Sequence, residues 1–408
     1  MIYFDHNATT PVHPEVAQAM SPYWNAGTEL YGNPSSIHSF GQKTRKAVEE
    51  ARDQAALLLG ADPDEIIFTS CGSESDTTAI KGAAYAAAER GKGKHIIISS
   101  IEHDTVRFCC EYLEKQGWQV NVLPVAPNGI LDPETLKGAL RPDTVLVSVM
   151  HANNELGTLQ PIAELSSICR EKGVLLHTDA IQTVGKIPTN VQELGVDLLS
   201  LSAHKFYGPK GVGALYIRKG TRMHPLFHGH HEKNRRAGTE NVAGIVGLGA
   251  ACAVAKRDLI HDQKQVRQLR DQLENGIINK VPLCRVNGDL ERRVPGCTNI
   301  SFEYIEGEGC IVMMDIEGIA ASTGSACASG TTLASHVLRA IGLTGNAAQG
   351  TVRFSLGRTN TQADVDNALE IIPSIIHRLR SLSPVWTDKM QGQETQVTPP
   401  ARFLPPKG

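Results

Sequence analysis

The stretch Ser202-Ala203-His204-Lys205-Phe206-Tyr207-Gly208-Pro209-Lys210-Gly211 sets a lysine between an apolar run, residues 198–201, and a Gly/Pro turn. Upstream, in His177-Thr178-Asp179-Ala180-Ile181-Gln182, an aspartate closes another apolar run. Each run reads as a strand, so an amine and a carboxylate are expected at two neighbouring strand ends. The amine can form a Schiff base, and the carboxylate can keep a pyridine nitrogen protonated so that the ring draws off electrons. These are the needs of a pyridoxal phosphate (PLP) site. A lysine after a strand is by itself more often a solvated surface residue, so the rest of the chain has to decide.

Outward from this pair the pattern alternates. Short runs rich in Ile and Val (66–69, 95–99, 120–124, 144–149, 174–177) are separated by helix-length amphipathic segments. Continuous apolar runs suit strands buried on both faces, and their alternation with helices predicts an α/β fold on a mostly parallel sheet flanked by helices. Residues 242–255, rich in Gly and Ala, read as a closely packed core helix. Near residue 260 the texture changes to a charged helix over 262–279, then strands at 297–302 and 351–355 and helices at 309–316 and 362–382. The expected organisation is a large domain over 15–260 and a smaller α+β domain built from 1–14 and 261–386. Residues 387–408, polar and Pro-rich, are expected to form a flexible tail.

Composition narrows the function classes. A chain of 408 residues with 41% hydrophobic and 20% charged residues is ordinary for a globular protein. A formal charge of -3 gives no reason to expect nucleic acid or an anionic membrane as partner. The nine cysteines are scattered without a CxxC pair, which suggests neither a zinc ribbon nor a disulfide framework. The start of the chain lacks the pattern of a signal peptide, and 242–255 is too short to span a bilayer, so a cytoplasmic location is expected.

Other motifs carry chemistry. Ser70-Cys71-Gly72-Ser73-Glu74-Ser75 joins a strand to a helix read over 76–88. Gly72 and Ser73 there offer either a phosphate site at the helix N-terminus or a simple cap with Ser73 as N-cap. His103, at another strand-to-helix turn, could stack on a cofactor ring and move protons, or merely cap. Asn153 and Asn154 follow the 144–149 run, as neutral hydrogen-bonding groups or as turn formers. Cys327 sits in Thr323-Gly324-Ser325-Ala326-Cys327-Ala328-Ser329-Gly330, without apolar neighbours to bury it. This fits a nucleophile on a mobile loop, or a bland flexible loop. Arg353, alternating into an apolar strand ahead of Arg358, suits either a bidentate clamp on a substrate carboxylate or an internal ion pair. His228, His230 and His231 lie too close together to share a helical face and lack other ligands, so no resident metal is expected. The adjoining Arg235, Arg236, Gly238 and Thr239 fit better with contacts to a phosphate or a partner subunit.

Together these motifs resemble the cysteine desulfurases, of the fold-type-I class-V aminotransferases. The likeness runs from Asp5-His6-Asn7-Ala8-Thr9-Thr10 through Tyr31-Gly32-Asn33-Pro34-Ser35-Ser36 to Trp386. The stretches Thr69 to Asp76 and Arg236 to Asn241 look most like the nitrogenase-associated NifS branch, with the housekeeping IscS-like branch next. By that resemblance Lys205 carries the cofactor, Asp179 pairs with its ring nitrogen, and Gln182 and Asn154 bond near the ring 3-hydroxyl. His103 would stack on the ring. Gly72, Ser73, Ser202 and His204 would hold the phosphate, with Thr239 from the second subunit of a homodimer. Arg353 would clamp the carboxylate of L-cysteine, and Cys327 would accept the sulfur and pass it to an iron–sulfur scaffold protein. Any metal at Cys327 would come through a cluster held by that partner. Three positions depart from the family pattern, Ala203, Thr323 and His6, and none removes a reacting group. An aminotransferase or a selenocysteine lyase would share Lys205, Asp179 and Arg353 but would not need Cys327.

Overall fold

Seven strands form the main sheet in a computed structural model that describes residues 1–25, 27–323, 335–383 and 386. From edge to edge they are Ile66–Thr69, Gly213–Ile217, Leu198–Ser202, Leu175–Asp179, Thr144–Ser148, His95–Ser99 and Gln119–Leu123. The last five run parallel, and Gly213–Ile217 runs antiparallel to both of its neighbours. The fold is α/β with a mostly parallel sheet flanked by helices, as the alternation of apolar runs led one to expect.

Both faces of the sheet are covered, and single strands show it. Ile97, Leu199, Leu201, Ala214 and Tyr216 join one apolar cluster. Their neighbours Ile96, Ile98, Leu198, Leu215 and Ile217 join the cluster on the other face. Successive side chains of a strand point to opposite faces, so a strand covered twice must be apolar at every position. The Gln119–Leu123 edge strand, mostly exposed, keeps Gln119 and Asn121.

A second sheet places Cys297–Phe302 between Thr351–Ser355 and Cys284–Asn287, all antiparallel. It packs with helix Gln362–Leu382 around Phe302, Phe354, Ile372 and Phe4. Ile2–Tyr3 pairs in parallel with Ile319–Ala320, and Asn7 N donates to Ser355 Oγ, so the start of the chain is woven into this part.

The structure corrects the reading of two separate helices over 242–255 and 262–279. One unbroken helix, Val242–Lys280, runs through both. Its texture changes because its packing partner changes. Gly249 lies so close to helix Ser39–Leu59 that a Cβ would stand 2.6 Å from Ala51 Cα. Further along, Val266, Leu269, Leu273 and Ile277 join the core of the second sheet.

The segment before Thr239 is pinned by a buried ion pair. Arg52 donates through Nη1 and Nη2 to the two Glu232 oxygens, both at 2.8 Å, and Phe68 N donates to the same carboxylate. Glu232 takes a left-handed backbone, φ 47°, to reach them. No helix among the described residues is long and apolar enough to cross a membrane.

Candidate functional site

Parallel strands end at one sheet edge, and ligands gather there. The Leu198–Ser202 strand ends in a 3-10 turn, Ala203–Lys205, that turns Lys205 back over this edge. Its Nζ donates to the carbonyls of Asn7 and Ala8, both at 2.7 Å. Burial and the Arg353 charge bring its pKa down to about 8, with Asp179 and Asp5 pulling the other way. Asp179 closes the neighbouring strand, and its Oδ1 accepts from Ile181 N at 2.9 Å. Burial raises its pKa, and His103 and Lys205 counter that rise.

Beneath Asp179 lies a buried polar layer. His177 bonds Ser148 Oγ at 2.8 Å through Nδ1 and Ser200 Oγ at 3.0 Å through Nε2. Burial pushes its pKa to about 3, so the ring stays neutral. Asp76 approaches the same Nε2 at 3.6 Å, and burial beside Asp179 holds its carboxyl well above the usual range. Glu102, pushed by burial to about 8, accepts from Ser99 Oγ and from Met150 N.

Helix Gly72–Glu89 starts beside Ser202. It begins earlier than the expected 76–88, with Cys71 rather than Ser73 at the N-cap and no side-chain cap bond there. A Cβ on Gly72 would meet Ile181 Cδ1 at 2.3 Å and Ser202 Cβ at 3.4 Å, so only glycine leaves this cradle open. Ser202 Oγ is buried and has no hydrogen-bond partner among the described residues. Ser73 Oγ bonds Thr105 Oγ1 at 3.0 Å, which also bonds His103 Nδ1 at 3.0 Å. His103 is the N-cap of helix Asp104–Glu114, and His204 Nδ1 bonds Thr9 Oγ1 at 3.1 Å.

On the other side, Gln182 Nε2 donates to Asn7 O at 3.0 Å. The Asn154 carbonyl accepts from Asn7 Nδ2 at 3.2 Å and from Arg353 Nη1 at 3.1 Å. Buried Arg353 also pairs with Asp5 through Nη2 at 2.7 Å, while its Nε has no partner. The internal ion pair is therefore present, and among the described residues the buried Nε is the guanidinium nitrogen left without a partner.

Lys205, Asp179, Gln182, Asn154 and Arg353 are thus linked through contacts or charge, while Ser202 and Gly72 face each other. Thr239 stands exposed on its own loop, near where Arg236 bonds Glu74 at 2.8 Å. Cys327, its loop and the tail lie outside the described residues. Among the described residues no group of His, Cys, Asp or Glu could hold a metal ion.

Sequence reasoning gave no role to Asp5, Asn7, Asp76, Glu102 or Lys186. Gln182 and Lys186 meet across a turn that Gly185 carries through at φ 75°, a contact that no helical spacing would signal.

A class-V aminotransferase family model matches residues 2–368. The cysteine desulfurase IscS of Dictyoglomus turgidum is 52% identical over 384 residues, covering 94% of this chain and 96% of that protein. The chain belongs to the cysteine desulfurases of the class-V aminotransferase family. A solved NifS-like protein superposes with a TM-score of 0.86 at 39% identity, covering 93% of this chain and all of that one. SspA, solved in complex with cysteine, superposes at 0.76 with 35% identity, covering 88% of this chain and all of that one.

Pyridoxal phosphate is the cofactor of these enzymes, and the residues present fit it. The open cradle at Gly72 and the unpartnered Ser202 Oγ suit a phosphate at a helix N-terminus, and the Lys205 amine lies at the same edge as Asp179.

Proposed function

We propose that the protein removes sulfur from L-cysteine, releasing alanine, and hands it on from Cys327 for iron–sulfur cluster assembly. The observation that carries this reading is the half-buried Lys205, its Nζ on the Asn7 and Ala8 carbonyls at the strand edge that buried Asp179 closes, with the Gly72 cradle and Arg353 at the same edge. Lys205 would hold PLP, with Asp179 keeping the ring nitrogen protonated and Gln182, Asn154 and His103 fixing the ring. Gly72, Ser73, Ser202 and His204 would cradle the phosphate, joined by Thr239 of a second copy in a homodimer. When bound, PLP supplies the electron sink that lets bonds at the substrate Cα and Cβ break.

Arg353 orients L-cysteine by its carboxylate, which would compete with Asp5 and the Asn154 carbonyl for the guanidinium. Lys205 Nζ, whose pKa of about 8 leaves a usable unprotonated fraction near neutral pH, takes the proton from Cα. The Cys327 thiolate attacks the substrate Sγ. An S–S bond forms, the Cβ–Sγ bond breaks, and its electron pair stays with the carbon fragment, which takes up protons to become alanine. His103 moves protons at the substrate or at the Cys327 thiol.

The likeness of residues 69–76 and 236–241 to the nitrogenase-associated branch supports a nitrogenase cluster scaffold as the acceptor. A housekeeping scaffold is the alternative, and similarity to an IscS protein does not decide between the two. We also place the boundary between a large and a small domain near residue 260, and the protein in the cytoplasm.

The test is alanine and sulfide release from L-cysteine with a thiol reductant, for the parent and for Cys327→Ala. Equimolar products from the parent and none from the variant are expected. A yellow protein that yields neither product would redirect the reading to an aminotransferase. Normal turnover by Cys327→Ala would remove Cys327 from the mechanism.

A further inference from the structure

Behind the site lies a second lysine that the chemistry above does not use. Lys186 Nζ donates to Asn7 Oδ1 at 3.0 Å and to Gln182 Oε1 at 2.8 Å. Burial with the charges of Lys205 and Arg353 brings its pKa down to about 7, against the pull of Cys297. A half-buried amine whose two side-chain hydrogen bonds go to neutral amides is costly to keep charged, so a role is needed to account for it.

The geometry supplies one. An ammonium only donates, and even the neutral amine keeps a hydrogen for each of these two oxygens. As an ammonium Lys186 therefore requires the oxygen end of Gln182 to face it, as it does. That turns Gln182 Nε2 toward the Asn7 carbonyl, the same oxygen that Lys205 Nζ donates to at 2.7 Å. The second amide, Asn7, is fixed likewise, with its Nδ2 on the Asn154 carbonyl that also accepts from Arg353.

We propose that Lys186 is a positioning residue: by holding both amide oxygens it fixes Gln182 with its N–H end toward Lys205 and the bound cofactor. Without that hold the Gln182 amide can turn over and present an acceptor where a donor is wanted. The inference rests on the proposed cofactor site.

The experiment is a double-mutant cycle on the purified holoenzyme with Lys186→Met and Gln182→Ala. The thioether should be tolerated sterically, because Lys186 also lines a cavity with His6 and Tyr207. For each variant, cofactor loss on dialysis, the visible circular dichroism of the bound cofactor and thermal unfolding are measured. Lys186→Met is expected to lose cofactor about 10-fold faster, the order of one hydrogen bond. Its visible band should change and its unfolding temperature should not fall. The double variant should be no worse than Gln182→Ala alone, because Lys186 acts through that amide. Retention equal to the parent, or losses that multiply in the double variant, would overturn the proposal. If Lys186→Met does not fold, Lys186→Leu, which likewise has no donor, carries the same cycle with the same criteria. A colourless parent overturns the cofactor site itself, whereas a yellow parent with an indifferent Lys186→Met overturns only the role of Lys186.

Discussion

Replacing Lys205 with methionine should make the cofactor-free protein more stable at neutral pH. The amine is depressed from 10.5 to about 8 in the folded chain. At about 1.4 kcal/mol per pH unit, that difference costs the folded state about 3 kcal/mol wherever the unfolded chain binds the proton more tightly. The cost is complete below pH 8 and is relieved as pH rises from 8 to 10.5, because only the unfolded amine holds its proton in that window. Methionine removes the charge but gives up hydrogen bonds to two carbonyls, worth about 1 kcal/mol each. Asn7 O keeps its bond from Gln182, and Ala8 is exposed enough to reach water, so most of this loss is recovered. A net gain of about 1–2 kcal/mol at pH 7 remains. Urea unfolding of cofactor-free parent and Lys205→Met at pH 7 and pH 10 would read it as a higher midpoint for the variant that narrows at pH 10. A variant less stable than the parent at pH 7, or a difference that does not shrink with pH, would refute the argument.

Glu232→Ala should destabilise the protein by about 3–5 kcal/mol, since it strands the Arg52 guanidinium in the core without an anion. Lys233→Ala, one residue on, breaks only an exposed pair with Asp64 and should cost about 0–1 kcal/mol. Equal losses on thermal or urea unfolding would contradict this contrast. Arg353→Lys keeps a charge but loses the planar fork. Losing one charge-assisted hydrogen bond, about 1.5–3 kcal/mol, should lower kcat/KM for L-cysteine roughly 10- to 100-fold. An unchanged KM in steady-state assays would argue against a carboxylate clamp.

Much of the sheet was legible because covering a strand on both faces leaves one solution, an unbroken apolar run such as Ile96-Ile97-Ile98. The placement of Lys205 and Asp179 at neighbouring strand ends was legible for a related reason, as Asp179 closes one such run and Lys205 follows another. The continuity of Val242–Lys280 was not, because a change of composition looks the same whether a helix ends or meets a new neighbour. Asn7 and Asp5 were quoted for their likeness to a family but carried no local signal of a role. Their contacts with Lys205 and Arg353 join residues far apart in the chain. Asp76 and Glu102 read as ordinary helix and turn acids, since only the assembled sheet buries them.

The weaving of the first residues into the second sheet has a consequence for synthesis on the ribosome. Asp5 and Asn7 find Arg353 and Ser355 across 348 positions of sequence. At about 5–20 residues per second, these contacts wait roughly 20 to 70 seconds after the first residues are made. The carbonyls that receive the Lys205 amine belong to this waiting segment. A nascent chain therefore cannot close its lysine pocket until residues 353–355 have emerged, and residues 5–8 settle long after they are made.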